Sequence, residues 1–146
     1  MTVTFCGHGK MYYDYTTENK LEKLVENLIL DGADEFLLGG YGNFDKMSAK
    51  IVKKAQKRYP HIKSTLVIPY LDRKYDLELY DSTVYPPLEN TPARLSIIKR
   101  NQWMVENAHI IISYVKYSYG GSWKTLSFAK QKNKKIIDLC NQKDAE

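Results

Sequence analysis

Only two cysteines occur in the 146 residues, Cys6 and Cys140. They are too few and too far apart to form a disulfide framework, and no Cys/His spacing suggests a zinc site. The longest apolar runs are short, such as Ile110-Ile111-Ile112, so no membrane span is expected. The start, Met1-Thr2-Val3-Thr4-Phe5, lacks the basic and apolar stretches of a signal peptide. The expected setting is therefore a reducing cytoplasm. There is no G-x-x-x-x-G-K-[ST] stretch and no G-x-S-x-G, which argues against P-loop hydrolysis and a serine hydrolase. Nothing in the chain signals a resident cofactor or metal.

Acidic residues are missing from one long segment. Between Asn107 and Ile137 there is no Asp or Glu, while six lysines are present: Lys116, Lys124, Lys130, Lys132, Lys134 and Lys135. The whole chain carries a formal charge of +5, so the remainder is close to neutral. The charge is a local feature and fits one small anionic ligand better than a long polyanion. Lys124 falls inside a glycine turn. The lysines from Lys130 onward fall beyond it, toward the other end of the fold.

Hydrophobic residues at 43% and charged residues at 27% are ordinary for a globular domain. The chain reads as one domain, 1–146. Thr2–Cys6, Glu35–Leu38, Ser64–Ile68, His109–Val115 and Lys135–Leu139 read as five strands rich in Val, Ile and Leu. Four helices fall between them. Asn19–Leu30 has its apolar face at Leu21, Leu24, Val25, Leu28 and Ile29. A second begins at Asn43 or Asp45 as cap and buries Met47, Ile51, Val52 and Ala55. Pro92–Ala108 offers Ile97, Ile98, Met104, Val105 and Ala108, and Trp123–Lys132 follows. Residues 70–91 fit neither period and contain Tyr70, Tyr75, Tyr80 and Tyr85. They read as a long surface loop or lid. Cys140–Glu146 reads as a tail. The alternation predicts an α/β fold, an open parallel sheet with helices on both faces.

Three glycine turns leave the carboxyl ends of predicted strands: Gly7-His8-Gly9-Lys10, Gly39-Gly40-Tyr41-Gly42-Asn43-Phe44-Asp45, and Gly120-Gly121-Ser122-Trp123-Lys124-Thr125. In a parallel sheet all three emerge at one end. Glycine lets backbone amides approach an anion, and the following helix points its partial positive end there. A shared phosphate or nucleotide site is the functional reading; plain chain reversal is the structural one. Tyr41 and Trp123 sit within these turns and are candidates to stack on a base. Arg100, with Asn101 beside it, lies near the apolar face of its helix. It is either a satisfied ion-pair residue or a phosphate or ribose ligand. Glu89, just ahead of that helix, is a loop ion-pair partner, a contact to the helix dipole, or a general acid/base.

These residues carry a family resemblance. Thr4-Phe5-Cys6-Gly7-His8, Gly39-Gly40-Tyr41-Gly42-Asn43-Phe44-Asp45, Tyr85-Pro86-Pro87-Leu88-Glu89, Arg100-Asn101-Gln102-Trp103-Met104 and Gly120-Gly121…Lys124-Thr125 resemble the YpsA-like branch of the SLOG superfamily. That superfamily joins Smf/DprA proteins with LOG enzymes and occurs in this branch among bacteria and their phages. The resemblance implies a Rossmann-like sheet ordered 3-2-1-4-5 and a ligand-binding surface at Gly7, His8, Gly9, Lys10, Gly39, Gly40, Tyr41, Gly42, Phe44, Asp45, Arg100, Asn101, Gly120, Gly121, Ser122, Trp123, Lys124 and Thr125. It also implies a nucleotide-derived ligand and a homo-oligomer. DNA, bound by the DprA kin, is not the expected partner. The LOG pattern, P-G-G-x-G-T-x-x-E, is altered here: Tyr119 replaces the proline and no Glu follows. A ligand sensor or sequestering protein is thus expected, with a LOG-like hydrolase using Arg100 and Glu89 as the alternative. Gly9 stands where relatives are expected to carry Arg, which removes one cation.

Overall fold

A computed structural model describes residues 1–141. The chain runs β1 (Thr2–Gly7), α1 (Tyr15–Leu30), β2 (Glu35–Leu38), α2 (Asn43–Ala55), β3 (Lys63–Val67), β4 (Ser82–Val84), a 3-10 turn (Ala93–Leu95), α3 (Ser96–Glu106), β5 (Ile110–Tyr114), α4 (Gly121–Gln131) and β6 (Lys135–Asp138). The strands form one sheet in the order β4-β3-β2-β1-β5-β6, and every neighbouring pair is parallel. This is the expected 3-2-1-4-5 order with one strand added at the edge. The addition, β4, comes from the segment read as an irregular loop. Three residues are too few to show a period, and Ser82 and Thr83 are exposed on an edge. Their backbone pairing with Thr65 and Leu66 therefore left no apolar signature.

The two-residue alternation along each strand divides the core. Val3 and Phe5 of β1, Phe36 and Leu38 of β2, and Ile110 and Ile112 of β5 pack with α1 and α2. Cys6 and Ile111 face the other way, with Val105 of α3 and Leu126 and Ala129 of α4. Each face of the sheet thus carries a helix pair.

Helix boundaries differ from expectation where a residue outside the apolar stripe decides them. α1 begins four residues before Asn19. The Asp14 carboxylate accepts the Thr16 amide at 3.0 Å and the Thr17 hydroxyl at 2.9 Å, which caps an extra polar turn. Neither Asn43 nor Asp45 caps α2. Gly42 occupies that position with φ +91°, and Asn43 is already helical. In α3 Ile97 and Ile98 are exposed, against expectation, and the buried face is Ser96, Arg100, Met104 and Val105. Arg100 takes the place on that face that an isoleucine was expected to fill, because its guanidinium has acceptors there. Of the Cys140–Glu146 tail, positions 142–146 lie outside the described residues.

Candidate functional site

The sheet reverses its winding at β1. From β1 the chain moves outward through β2, β3 and β4, then returns to the other side of β1 as β5. The crevice at such a switch point, beyond the carboxyl ends of the strands, is where open α/β sheets take ligands. A cleft of about 410 Å³ lies there. It is lined by Gly7, His8, Gly9, Lys10, Tyr41, Asp45, Arg100, Asn101, Gly120, Gly121, Ser122 and Thr125, together with Phe5, Cys6, Ile97, Met104, Tyr117 and Tyr119. All three glycine turns therefore contribute.

The remaining residues of the expected surface stand elsewhere. Gly39, Gly40, Gly42 and Phe44 do not line the cleft. Phe44 is fully buried against Phe5 and Tyr114. Trp123 packs on the α3–α4 face with Lys130 over its ring, and Lys124 is exposed outside the cleft. Glu89 is exposed and does not line the cleft, nor does any residue of 70–91. Tyr117 and Tyr119, not singled out in the sequence, form a stacked pair with centroids 5.5 Å apart, and Tyr117 lies 4.9 Å from the His8 ring. Their position one and three residues before Gly120 was the available signal.

The first two turns are locked together. A Cβ on Gly7 would overlap the Phe44 ring, and one on Gly42 would overlap the Gly9 backbone. The Asn43 amide donates to the Gly9 carbonyl at 2.9 Å and the Phe44 amide to the His8 carbonyl at 3.4 Å. The first amides of α2 are thus satisfied by the chain itself. The third turn is open. Gly120 has φ +91°, and a Cβ on either Gly120 or Gly121 would meet nothing within 4 Å. Among the described residues the Gly121, Ser122 and Trp123 amides have no acceptor; the first turn-closing bond is Lys124 to the Gly120 carbonyl at 3.1 Å. These free donors carry the positive end of the α4 dipole into the cleft.

His8 is held from both nitrogens. Its Nε2 accepts the Lys116 amide at 2.7 Å, and its Nδ1 lies 3.1 Å from the Ser122 hydroxyl. Burial and the Lys116 charge lower its pKa, so the ring is neutral at pH 7. Because Nε2 accepts, the proton is on Nδ1, which donates to Ser122 Oγ. The pair is therefore set the wrong way round for His8 to take the serine proton. Cys6, whose thiol donates to the Ser122 carbonyl at 3.2 Å, is pushed up to about 12 by burial and by Asp45. It is a packed thiol with no nucleophilic character.

Arg100 is 3% exposed. Its Nη1 donates to the carbonyls of Gly39 at 2.8 Å and Val67 at 2.9 Å, and its Nε donates to Asn101 Oδ1 at 2.8 Å. It ties the ends of β2 and β3 to α3 and forms part of the cleft floor. Burial pushes the Asp45 carboxyl up to about 6, against the pull of Arg100 and the backbone amides of Tyr41 and Gly39. Its ionised form is therefore disfavoured in the cleft.

No family model matches the chain. Among solved structures, the chain is similar to DNA processing protein A from Helicobacter pylori, described for its single-stranded DNA binding, with TM-score 0.67, 16% identity, and coverage of 94% of this chain and 64% of that one. It is also similar to the molybdenum cofactor carrier protein of Chlamydomonas reinhardtii, with TM-score 0.61, 12% identity, and coverage of 94% and 75%. The architecture shared with these structures is a Rossmann-like open parallel sheet. In sequence, the chain is 24% identical over 139 positions to the uncharacterised SPbeta prophage-derived protein YoqJ of Bacillus subtilis (strain 168), spanning 78% of this chain and 80% of the relative. No described helix is long and apolar enough to cross a membrane.

Proposed function

We propose that the protein binds a small anionic ligand derived from a nucleotide, of nucleotide, cyclic nucleotide or ADP-ribose type, as a sensor or a sequestering protein. The observation that carries this reading is the unsatisfied amide terminus of α4 at the switch point. Lys10 lies on the same cleft, and Tyr41, Tyr117 and Tyr119 on its walls offer ring faces. A phosphate suits the amides, and a base suits the tyrosines. A carrier role is named for one structural neighbour, the molybdenum cofactor carrier, which is in keeping with binding without turnover.

One observation favours the hydrolase alternative. Asp45, at about 6, has the proton affinity a general acid/base needs, and it lines the cleft where Glu89 does not. The two readings separate in one experiment. The protein is titrated with a panel of nucleotides, followed by melting temperature, and the ligand is then recovered for mass analysis. A binder is stabilised by roughly 2.7 kcal/mol at about 100 times Kd and returns the ligand intact. Turnover that disappears in Asp45→Asn establishes the hydrolase instead. Absence of any shift across the panel overturns both.

The likeness to DNA processing protein A makes single-stranded DNA a third partner to test. The lysines of the basic segment do not line one groove. Lys134 donates to the carbonyls of Glu106 and Ala108 at the end of α3, and Lys130 and Lys132 lie over Trp123 and Phe128. DNA binding of consequence would weaken steeply with salt in a gel-shift titration.

A further inference from the structure

The α1–α2 pair carries a groove of about 510 Å³ on its surface, and none of the residues lining it lines the cleft. Part of its lining is apolar: Met11 and Met47 are half-buried there, and Ile51 is buried. The rest is charged. Glu18 and Glu22 stand one turn apart on α1, and Lys46, Lys50 and Lys54 follow one another at one-turn intervals on α2. Tyr13 lines the groove as well, in a stretch where Tyr12, Tyr13 and Tyr15 are all exposed.

The two charged sides differ. Lys54 is bonded to Glu22 at 2.9 Å, and Glu18 adds to the pull on Lys54 and faces the Tyr13 hydroxyl. The acids of α1 are therefore engaged within the groove. Lys46 and Lys50 are exposed and have no acidic partner among the described residues. Methionine and tyrosine are residue types that protein interfaces favour. Two unpaired lysines beside an apolar floor call for an apolar side chain flanked by carboxylates.

The chain carries that combination on its own surface. Asp76-Leu77-Glu78 lies in the segment between β3 and β4, and Leu77 is 50% exposed. Asp76 Oδ1 accepts the Glu78 amide at 3.0 Å, and the Tyr80 amide donates to the Leu77 carbonyl at 3.0 Å. The turn thus holds its shape by itself, and Leu79 and Tyr80 anchor it to the core. Glu78 has no cationic partner among the described residues. Of the two cations ahead of the turn, Arg73 lies over the Tyr70 ring at 3.9 Å, and Lys74 is exposed. The turn does not line the groove of its own chain.

We propose that the turn of one copy of this chain seats in the α1–α2 groove of a second copy. Leu77 rests on Met11, Met47 and Ile51, and Asp76 and Glu78 meet Lys46 and Lys50. One seated turn is small beside the ~1,200–2,000 Å² that a stable interface buries, so the contact is made twice, about a two-fold axis. The docking is independent of the ligand reading above.

Analytical ultracentrifugation of the chain over a concentration series tests it, with two variants of altered charge. One is Lys46→Glu with Lys50→Glu. The other is Asp76→Asn with Glu78→Lys, in which asparagine keeps the acceptor that shapes the turn. Wild type is expected to dimerise. Each variant alone sets like charges against each other and should weaken the dimer by about a hundredfold or more. Mixed in equal amounts, the two variants should form a heterodimer, because the altered turn meets the altered groove and the natural turn meets the natural one. A misfolded chain cannot give that recovery. Leu77→Asp should weaken the wild-type dimer by about tenfold or more. A wild type that stays monomeric overturns the proposal, as does a dimer that both variants retain, or loss of the dimer in both without recovery on mixing.

Discussion

The two helices that begin at glycine turns on this sheet edge, α2 and α4, start from nearly the same backbone and meet different fates. Gly42 and Gly120 precede them with the same φ, +91°, and neither helix has a side-chain cap. At α2 the first turn folds over the mouth, and its His8 and Gly9 carbonyls take the helix amides. At α4 nothing in the described chain does so. The lesson is that a glycine turn at a strand end states only that the backbone needs room. Whether the room serves packing or a ligand depends on what fills it: Gly7 and Gly42 make room for Phe44 and Gly9, and Gly120 and Gly121 face open space.

The largest effect should come from closing the packed mouth. Gly42→Ala combines a backbone conformation reserved for glycine with overlap on Gly9. Its expected cost is about 4 kcal/mol, from backbone strain and overpacking together, read as a drop in the urea midpoint. Gly120→Ala carries the strain without the overlap and should lose about half as much. Equal losses for the two would break the contrast.

Arg100 belongs to the packed side. Removing its guanidinium orphans the Gly39 and Val67 carbonyls. Arg100→Met should cost about 3 kcal/mol, measured by chemical unfolding without any ligand present. A variant of wild-type stability that had lost only ligand affinity would instead place Arg100 among purely ligand-contacting residues.

Asp45 lies where the two sides meet. Its folded pKa, about 6, stands above its ordinary 3.8, so the ionised form is disfavoured in the fold. The resulting destabilisation is complete above pH 6 and relaxes as pH falls from 6 toward 3.8, where the folded state holds the extra proton. Stability from this group therefore rises on acidification, by at most about 3 kcal/mol. Asp45→Asn should be more stable than wild type at pH 8, with the gap closing by pH 4. The affinity for an anionic ligand should also rise as wild type is taken below pH 6, and the Asn variant should lose that dependence.

The smallest effect on stability is expected at the open mouth. Gly121→Ala places a methyl in empty space and should leave the melting transition within about 0.5 kcal/mol of wild type. Its effect belongs in binding, where a bond to a charged group worth about 1.5 kcal/mol or more, roughly tenfold in affinity, is at risk. A change in stability with unchanged affinity would show that the mouth is structural after all.

Much of this was legible in the chain. The five long strands and four helices follow from periods of two and 3.6 that each segment carries within itself, and the parallel sheet follows from their alternation. The short strand Ser82–Val84 was not legible, because its pairing is made by backbone groups that every residue has. The buried face of α3 was misplaced for a related reason. Arg100 is buried by two carbonyls at the ends of distant strands, and no local pattern announces them. Tyr41 and Trp123 looked alike in their glycine turns, yet Tyr41 lines the cleft while Trp123 packs behind it. Tyr41 lies in the turn ahead of α2, whereas Trp123 is already within α4, on the side that packs toward α3.

The sequence by itself determined the element types, the parallel sheet and the gathering of three glycine turns at one edge, since hydrophobic period and chain direction are local or topological properties. Only the tertiary structure decided which turn is sealed and which is open. It likewise decided that Lys10 and Lys116 flank His8 while Lys124 points elsewhere. Those outcomes depend on distances between residues far apart in the chain, such as His8 and Ser122 or Gly9 and Asn43. A hydrogen bond or an overlap is settled within a few tenths of an ångström, a precision that spacing along a sequence does not carry.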